Sequence, residues 1–187
     1  YWIYNIKSKK LQKLREEKIQ EPIFSPDGNY VAYVYRRNIF VKNLINQITI
    51  QLTFDGDYQT INGLTDWVYE EEFGFVRAFD WSPDSKKIVY MRFDESKVPI
   101  FSMGIYGKDT YPFPYMFRYP KAGENNSKIK LFIIEIESLK REPIVFKEDP
   151  YYLPRMKFDG GKNSLIIQTI NRHQNDLKVF RYDIEKN

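Results

Sequence analysis

Two runs of sequence decide the fold: FSPDGNYVAYV at residues 24–34 and WSPDSKKIVYM at residues 81–91. In each run a proline presets the backbone for a turn, and the following aspartate with glycine or serine completes it. The residues after each turn are apolar, β-branched or aromatic, which favours a strand. A third run, KFDGGKNSLII at residues 157–167, keeps the turn and the strand but lacks the proline. The chain therefore repeats one turn-and-strand unit.

Further strands are predicted around these units, and the whole pattern is a repeated meander. Repeats of ~40 to 50 residues per meander are typical of β-propeller blades. We therefore predict an all-β fold: a partial β-propeller of about three four-stranded antiparallel blades plus the tail of another. The predicted single domain divides into the tail of a preceding blade (1–20), a blade (21–54), an inserted segment (55–79), a blade with a Tyr- and Pro-rich insertion (80–148) and a last blade (149–187).

The Tyr- and Pro-rich insertion, residues 96–128, is long for a loop in a compact domain, and such loops are usually functional or form interfaces. Its prolines and tyrosines are consistent with a peptide-binding surface. The alternative is an extended segment packed across its own blade, and we expect this second arrangement because binding surfaces are the rarer case. No chemistry is assigned to it.

Composition excludes several classes of function. The 187 residues contain no cysteine, so disulfides and thiolate metal ligands are absent, and the net charge is only +4. The basic residues near the N-terminus alternate with apolar ones and accompany no recognition motif, so we predict no nucleic-acid binding. No apolar run is long enough to span a membrane and no targeting signal is visible, and the chain begins as if within a strand.

Catalytic chemistry is also missing from the chain. The only histidine, His173, lies in a polar turn, and no G-x-S-x-G elbow occurs. There is no His or Cys cluster for zinc, no Gly-rich phosphate loop and no calcium-binding loop. The run Asn125–Ser127 matches the glycosylation sequon, a pattern too short to indicate function alone. We therefore predict no catalytic residue, no metal and no cofactor in this chain.

The run NGLTDWVYEEEF at residues 62–73 is the one candidate site. Adjacent carboxylates converge on one ligand only in a helix or turn, and we predict a short helix from about residue 67 to residue 73, capped by Thr65 or Asp66. The aromatic neighbours are expected to shield the carboxylates partly from water, which favours binding of a cation. A primary ammonium has three donors that two carboxylates can share. The alternative is an acidic, solvated helix face.

These residues carry a resemblance. The run at 62–73, the WSPD turn at 81–84 and YPKAG at 119–123 resemble the N-terminal β-propeller of the dipeptidyl peptidase IV family, the prolyl-oligopeptidase-like serine peptidases. The resemblance covers essentially the whole chain, and the D-W-x-Y-E-E-E stretch is among the most specific motifs of that family.

The resemblance implies a site that recognises peptide substrates with a free N-terminus. In that family the second and third glutamates of the motif, here Glu71 and Glu72, hold the α-amino group, so that dipeptides of X-Pro or X-Ala type are removed. Supporting roles are then expected for Glu70, Asp66, Trp67 and Tyr69. The family's catalytic serine, aspartate and histidine belong to an α/β-hydrolase domain outside this chain, so the chain alone should be inactive.

The resemblance further implies a homodimer of the intact protein and a periplasmic, secreted or cell-surface location. The family's carbonyl-binding arginine and an aromatic-plus-arginine subsite have no matching positions in residues 1–187. A different class of function stays open: a non-catalytic propeller that uses its acidic site to bind a basic protein partner. A reading frame containing G-x-S-x-G followed by Asp and His would distinguish the peptidase from the binding module.

Overall fold

A computed structural model of the chain describes residues 1–160 and 163–184. In this part the chain forms antiparallel sheets and one short helix. The elements are β1 (Trp2–Asn5), β2 (Lys10–Lys13), β3 (Gln20–Phe24), β4 (Tyr30–Tyr35), β5 (Asn38–Asn43), β6 (Thr49–Gln51), β7 (Thr60–Asn62), α1 (Trp67–Glu71), β8 (Phe79–Trp81), β9 (Lys87–Asp94), β10 (Ile100–Ile105), β11 (Phe113–Arg118), β12 (Lys128–Glu135), β13 (Arg141–Ile144), β14 (Tyr152–Phe158), β15 (Ser164–Ile170) and β16 (Leu177–Asp183).

The sheets follow one another along the chain as successive blades. Strands β1 and β2 pair with each other, β3-β4-β5-β6 form the first full blade, and β13-β12-β9 with β7 and β8 form the second. The third sheet has the order β14-β15-β16 within the described residues. The all-β, partial-propeller prediction is therefore confirmed. The predicted turn at Gly161 and Lys162 and the end of the last predicted blade, residues 185–187, lie outside the described residues.

The first repeated turn is built around a buried serine. The hydroxyl of Ser25 donates to Asp27 Oδ1 at 2.6 Å and accepts from the Tyr30 N–H at 3.0 Å. Gly28 completes the turn with a φ of 74°, in the left-handed region that glycine adopts without steric cost. The serine therefore satisfies the backbone where the chain enters β4, and the glycine allows the reversal.

The second turn repeats the same contacts. Ser82 donates to Asp84 Oδ1 at 2.6 Å and accepts from the Lys87 N–H at 2.8 Å. Ser85 takes the position of the glycine, and its hydroxyl accepts a hydrogen bond of 3.0 Å from the backbone N–H of Asp27 in the preceding blade. The two copies of the motif therefore contact each other directly and fix one end of the seam between the first and second blades.

An ion pair bridges the same two blades at the other ends of their strands. Arg37, in the turn between β4 and β5, places Nη1 2.8 Å from the Glu95 carboxylate, which follows β9. Burial raises the pKa of Glu95, and the hydrogen bond and charge of Arg37 partly offset that effect. Between these two ends the buried side chains of all three larger sheets form one apolar cluster, which includes Val34, Met91 and Leu165.

The Tyr- and Pro-rich insertion forms a two-stranded hairpin. Strands β10 and β11 pair only with each other, from Ile100 opposite Arg118 to Ile105 opposite Phe113. Several of its large side chains are exposed, among them Tyr111 at 83%. The expectation that this segment packs across its own blade is therefore wrong, because β10 and β11 pair with each other and with no other described strand, and most of their residues are exposed. No helix among the described residues is long and apolar enough to cross a membrane.

The repeated serines can be tested by substitution. We expect Ser25→Ala and Ser82→Ala each to lower the free energy of unfolding by about 1 to 3 kcal/mol, because each leaves a partly buried backbone N–H without its side-chain acceptor. Urea unfolding followed by tryptophan fluorescence measures the change. The exposed Ser102 in β10 provides the matched control, and Ser102→Ala should change the value by less than about 0.5 kcal/mol. Equal effects at all three serines would contradict this account of the turns.

Candidate functional site

The helix α1 and its glutamates lie in residues 63–78, a segment that leaves the sheet of the second blade between β7 and β8 and that we call the excursion. Strands β7 and β8 are two halves of one split strand: β7 pairs with residues 92–94 of β9, and β8 pairs with residues 88–90. Between the two halves the chain runs out and back as paired legs, with hydrogen bonds of 2.9 Å from Ala78 N to Gly63 O and 3.0 Å from Thr65 N to Val76 O. The blade therefore projects α1 without losing its own strand pairing.

Gly63, the first residue of the excursion, packs closely against the first blade. Its φ is 78°, and a Cβ at this position would lie 2.7 Å from Cγ1 of Ile39 in the first blade. A larger residue would be strained in its backbone and would collide with a buried side chain. The start of the excursion is therefore fixed against the first blade.

Asp66 caps the helix and connects it to a distant strand. Its Oδ1 accepts a hydrogen bond of 3.0 Å from the Tyr69 N–H, and its Oδ2 accepts one from the Ser127 hydroxyl next to β12. The residue is only 6% exposed. Burial raises the pKa of the Asp66 carboxyl, and the hydrogen bonds from Ser127 and from the backbone partly offset the rise. Of the two predicted caps, Asp66 is the one that the helix uses.

Tyr69 connects the helix to the third blade. Its side chain is buried, and its hydroxyl accepts a hydrogen bond of 2.7 Å from the backbone N–H of Leu153 in β14. The ring packs against Phe73 and Phe93 with centroid distances of 4.8 and 4.9 Å. Burial raises the pKa of the phenol well above its usual value, so the hydroxyl stays neutral at physiological pH.

Trp67 gives the helix its third contact. Its ring meets Tyr119 edge to face, with centroids 4.4 Å apart, and Tyr119 follows the hairpin formed by β10 and β11. Edge-to-face pairs of this kind contribute about 0.5 to 1.5 kcal/mol beyond the area they bury. The helix is therefore held by Asp66, Trp67 and Tyr69, each through a different part of the chain.

The three glutamates of this segment face solvent. Glu70, Glu71 and Glu72 are all exposed, and none makes an ion pair or a side-chain hydrogen bond with another described residue. The expectation that aromatic neighbours shield them is therefore wrong, because all three glutamates stay exposed while Tyr69 is buried and Trp67 packs against Tyr119. The helix is also shorter than predicted, ending at Glu71 with Glu72 as its C-cap.

A cavity of about 270 Å³ opens beside Glu72. Its wall includes Trp67, Phe73, Tyr152 and the segment that follows Tyr119. Within residues 1–160 and 163–184, no group of three or more His, Cys, Asp or Glu side chains is arranged to hold a metal ion. The arrangement therefore places the unpaired carboxylate of Glu72 at the wall of a partly aromatic cavity, which is suited to an organic cation.

Two anchoring residues were not predicted from the sequence. Ser127 was noted only as part of a sequon, although it donates to Asp66 across 61 positions of sequence. Leu153 acts through its backbone N–H, which has no side-chain signature. A hydrogen bond between residues this far apart leaves no local pattern in the chain.

Comparisons with known proteins agree on one family. All residues, 1–187, match the family model described as the dipeptidyl peptidase IV (DPP IV) N-terminal region. The chain is 37% identical to dipeptidyl peptidase 4 of Felis catus over 193 aligned residues, covering 94% of this chain and 25% of that protein. It is 36% identical to prolyl endopeptidase FAP of Homo sapiens, covering 72% of this chain and 18% of that protein.

A solved structure gives the same result for the fold. The crystal structure of Porphyromonas gingivalis dipeptidyl peptidase 4 superimposes with a TM-score of 0.92 at 36% sequence identity, covering 98% of this chain and 27% of that one. The chain therefore spans about a quarter of the length of the Felis catus and Porphyromonas gingivalis proteins.

The helix cap can be tested with two substitutions at one position. Asp66→Ala removes both acceptors, and we expect it to lower the free energy of unfolding by about 1 to 3 kcal/mol. Asp66→Asn is the matched control, because its amide oxygen still accepts from the Tyr69 N–H and its amide nitrogen can donate to Ser127 Oγ. We expect the asparagine variant to stay within about 1 kcal/mol of the parent protein at neutral pH.

The same pair of proteins gives a pH dependence with a definite sign. Because burial raises the pKa of Asp66 above an unfolded value of about 3.9, the folded state binds the proton more tightly. The stability of the parent relative to Asp66→Asn is then greatest below the unfolded pKa and falls as the pH rises through the folded pKa. Urea unfolding at a series of pH values measures this difference. A relative stability that increases with pH over that window would overturn the assignment.

Proposed function

This chain belongs to the dipeptidyl peptidase IV family, as its N-terminal region, and from that premise we propose that it is the substrate-recognition and gating propeller of a serine dipeptidyl aminopeptidase. In this proposal Glu71 and Glu72 hold the α-ammonium of a peptide whose N-terminus is free. Hydrolysis is assigned to an α/β-hydrolase domain of the longer protein, which removes N-terminal dipeptides of X-Pro or X-Ala type.

The observation that supports the proposal most strongly is the contrast between the anchored and the exposed residues of α1. Asp66, Trp67 and Tyr69 are fixed by contacts to other parts of the chain. Glu71 and Glu72 are exposed and lack a partner among the described residues. Free carboxylates on an anchored helix form a preorganised cation site, because the helix loses little conformational freedom when the cation binds.

An α-ammonium fits this site chemically. Its pKa is about 7.7 to 8.0, so it is largely charged at neutral pH, and its three N–H donors can be shared between two carboxylates. Repulsion between adjacent carboxylates is relieved when a cation lies between them. Glu70 is assigned a supporting role, since it adds negative charge on the same short helix.

Binding the N-terminus at this site sets the distance along the peptide from the α-ammonium to the bond that is cleaved. With the α-ammonium fixed at Glu71 and Glu72, the length of the peptide backbone determines which bond reaches the catalytic domain. An acetylated N-terminus has no positive charge and loses the interaction. The proposal therefore accounts for release of dipeptides and for exclusion of blocked peptides by one contact.

A second candidate function is a binding module for a basic protein partner. The observation that favours it is that all three glutamates are exposed together, which attracts positive charge of any kind. Such a module would bind lysine-rich and N-terminally acetylated peptides as well as free N-termini. Its reading frame would also lack G-x-S-x-G followed by Asp and His.

Two further properties belong to the same proposal. The intact protein is proposed to form a homodimer and to act outside the cytoplasm, as a periplasmic, secreted or cell-surface protein. Both rest on membership of the family.

The double-glutamate contact is tested in the full-length protein. We expect Glu71→Gln and Glu72→Gln each to lower kcat/KM for an unblocked X-Pro substrate at least ~100-fold, a loss of about 3 kcal/mol, because each leaves a charged contact unpaired. Steady-state kinetics with a chromogenic dipeptide substrate measure the effect. A loss below about threefold in both variants would mean that the pair is structural.

Two controls make the result specific. Glu137 is an exposed glutamate away from the helix, and Glu137→Gln should leave kcat/KM within about threefold of the parent value. The N-acetylated form of the same substrate should be a poor substrate for the parent protein. Comparable cleavage of the free and acetylated substrates would overturn the proposed contact between the α-ammonium and the two glutamates.

A further inference from the structure

Three basic side chains outside the glutamate helix are exposed and unpaired. Arg77 lies on the returning leg of the excursion, residues 73–78, and Arg155 and Lys157 lie on β14 of the third blade. No ion pair joins any of the three to another described residue. The Arg155 guanidinium donates to the carbonyl oxygen of Pro154 and keeps further N–H donors. We call these three residues the basic patch.

The blade contact brings the three cations to one place. Strand β8, which follows the returning leg, lies against β14. The guanidinium carbon of Arg155 is 5.3 Å from the centre of the Phe75 ring, and Phe75 precedes Arg77 by two residues on the returning leg. Residues two apart on an extended chain point to the same side. Arg155 therefore shares one face of β14 with Lys157, beside the leg that carries Arg77.

The carboxylate of Asp80 neutralises only part of this charge. Burial raises the pKa of the half-buried Asp80 carboxyl, and its hydrogen bond from the Trp81 N–H and the charges of Arg77 and Lys157 partly offset the rise. One carboxylate shared by two cations leaves a net positive charge, and Arg155 adds to it. The basic patch is therefore suited to an anionic ligand.

The excursion thus carries opposite charges at its two ends. The exposed glutamates occupy positions 70–72, and Arg77 follows Glu72 by five residues. An extended chain spans at most about 3.6 Å per residue, so the α carbons of Glu72 and Arg77 are at most about 18 Å apart. A peptide of five residues has the same maximum span. A peptide whose ammonium is held at Glu72 can therefore reach the basic patch with its third to fifth residues.

We infer that the basic patch binds a carboxylate in the part of the substrate that follows the cleaved bond, at about the third to fifth residue. The inference rests on the proposed role of Glu71 and Glu72. Guanidinium and ammonium groups form charge-assisted hydrogen bonds with carboxylates, whether these belong to an acidic side chain or to the C-terminus of a short peptide. The two charges of the excursion then orient the peptide, with its ammonium at the glutamates and its carboxylate at the basic patch.

Matched pairs of peptides test the basic patch in the full-length protein. Ala-Pro-Ala-Ala-Ala with a free C-terminus is compared with its C-terminal amide, and Ala-Pro-Ala-Asp-Ala amide is compared with the same peptide containing Asn. Mass spectrometry of the released Ala-Pro gives kcat/KM for each peptide. In the parent protein we expect the charged member of at least one pair to be favoured about five- to tenfold, mostly through KM. The pair that shows the preference identifies which carboxylate is bound.

Variants and salt show whether the preference belongs to the basic patch. Arg77→Gln and Lys157→Gln should each lower the charged-to-neutral ratio by at least about threefold. About 1 M NaCl, where the Debye length is about 3 Å, should lower the parent ratio to below about twofold. As controls, Lys10→Gln and Arg141→Gln remove exposed cations on β2 and β13 and should leave the ratio unchanged. A loss of stability affects both members of a pair equally, so the ratio isolates the charge.

The outcomes separate this inference from the proposed function. A parent ratio near one for both pairs would overturn the inference, and so would an equal loss on charged and neutral peptides in Arg77→Gln and Lys157→Gln. If Glu71→Gln and Glu72→Gln keep full activity on the neutral peptides, the proposed function fails instead. A large loss in those two variants together with a parent ratio near one removes only the role of the basic patch.

Discussion

The pairing of β9 with both halves of a split strand is the constraint on which the site depends. By pairing with β7 at one end and with β8 at the other, β9 gives both halves of the split strand a hydrogen-bonded neighbour while residues 63–78 leave the sheet. Buried backbone groups left unpaired would otherwise cost about 1 to 3 kcal/mol each. Both ends of the excursion are therefore fixed in the sheet, and the contacts of Asp66, Trp67 and Tyr69 give the five-residue helix a defined position.

The interface between the first two blades is stabilised in part by a contact between the two repeated turns. The two serine-centred turns are equivalent in sequence, and one donates a backbone hydrogen bond to the other through Asp27 and Ser85. The Arg37 and Glu95 pair closes the far ends of the same strands, where burial makes an unpaired carboxylate costly. Gly63 and Ile39 pack between the two ends. The start of the acidic excursion is therefore fixed by contacts that belong to the blades and not to the site.

The parts of this structure that were predicted from the sequence are those with a local cause. The serine-proline-aspartate turns, the strands after them and the Asp66 cap follow from backbone preferences of neighbouring residues. What was missed acts at a distance. The aromatic residues around the glutamates were expected to shield them, yet Tyr69 turns toward Leu153, a partner that only the completed third blade supplies. The exposed hairpin was missed for a related reason, since composition does not distinguish strands that pair with each other from strands that cover a blade.

The hydrogen bond from Leu153 to Tyr69 has a consequence for the order in which the protein acquires its structure. The two residues are 84 positions apart, and a helix of five residues is too short to be stable by itself. Chains are synthesised at about 5 to 20 residues per second, N-terminus first, so Leu153 follows Tyr69 by roughly 4 to 17 seconds. Until then the glutamates have no fixed geometry. The proposed recognition site is therefore among the last parts of these blades to form during synthesis, and a nascent chain that stops before the third blade contains the glutamate motif without the contact that fixes its helix.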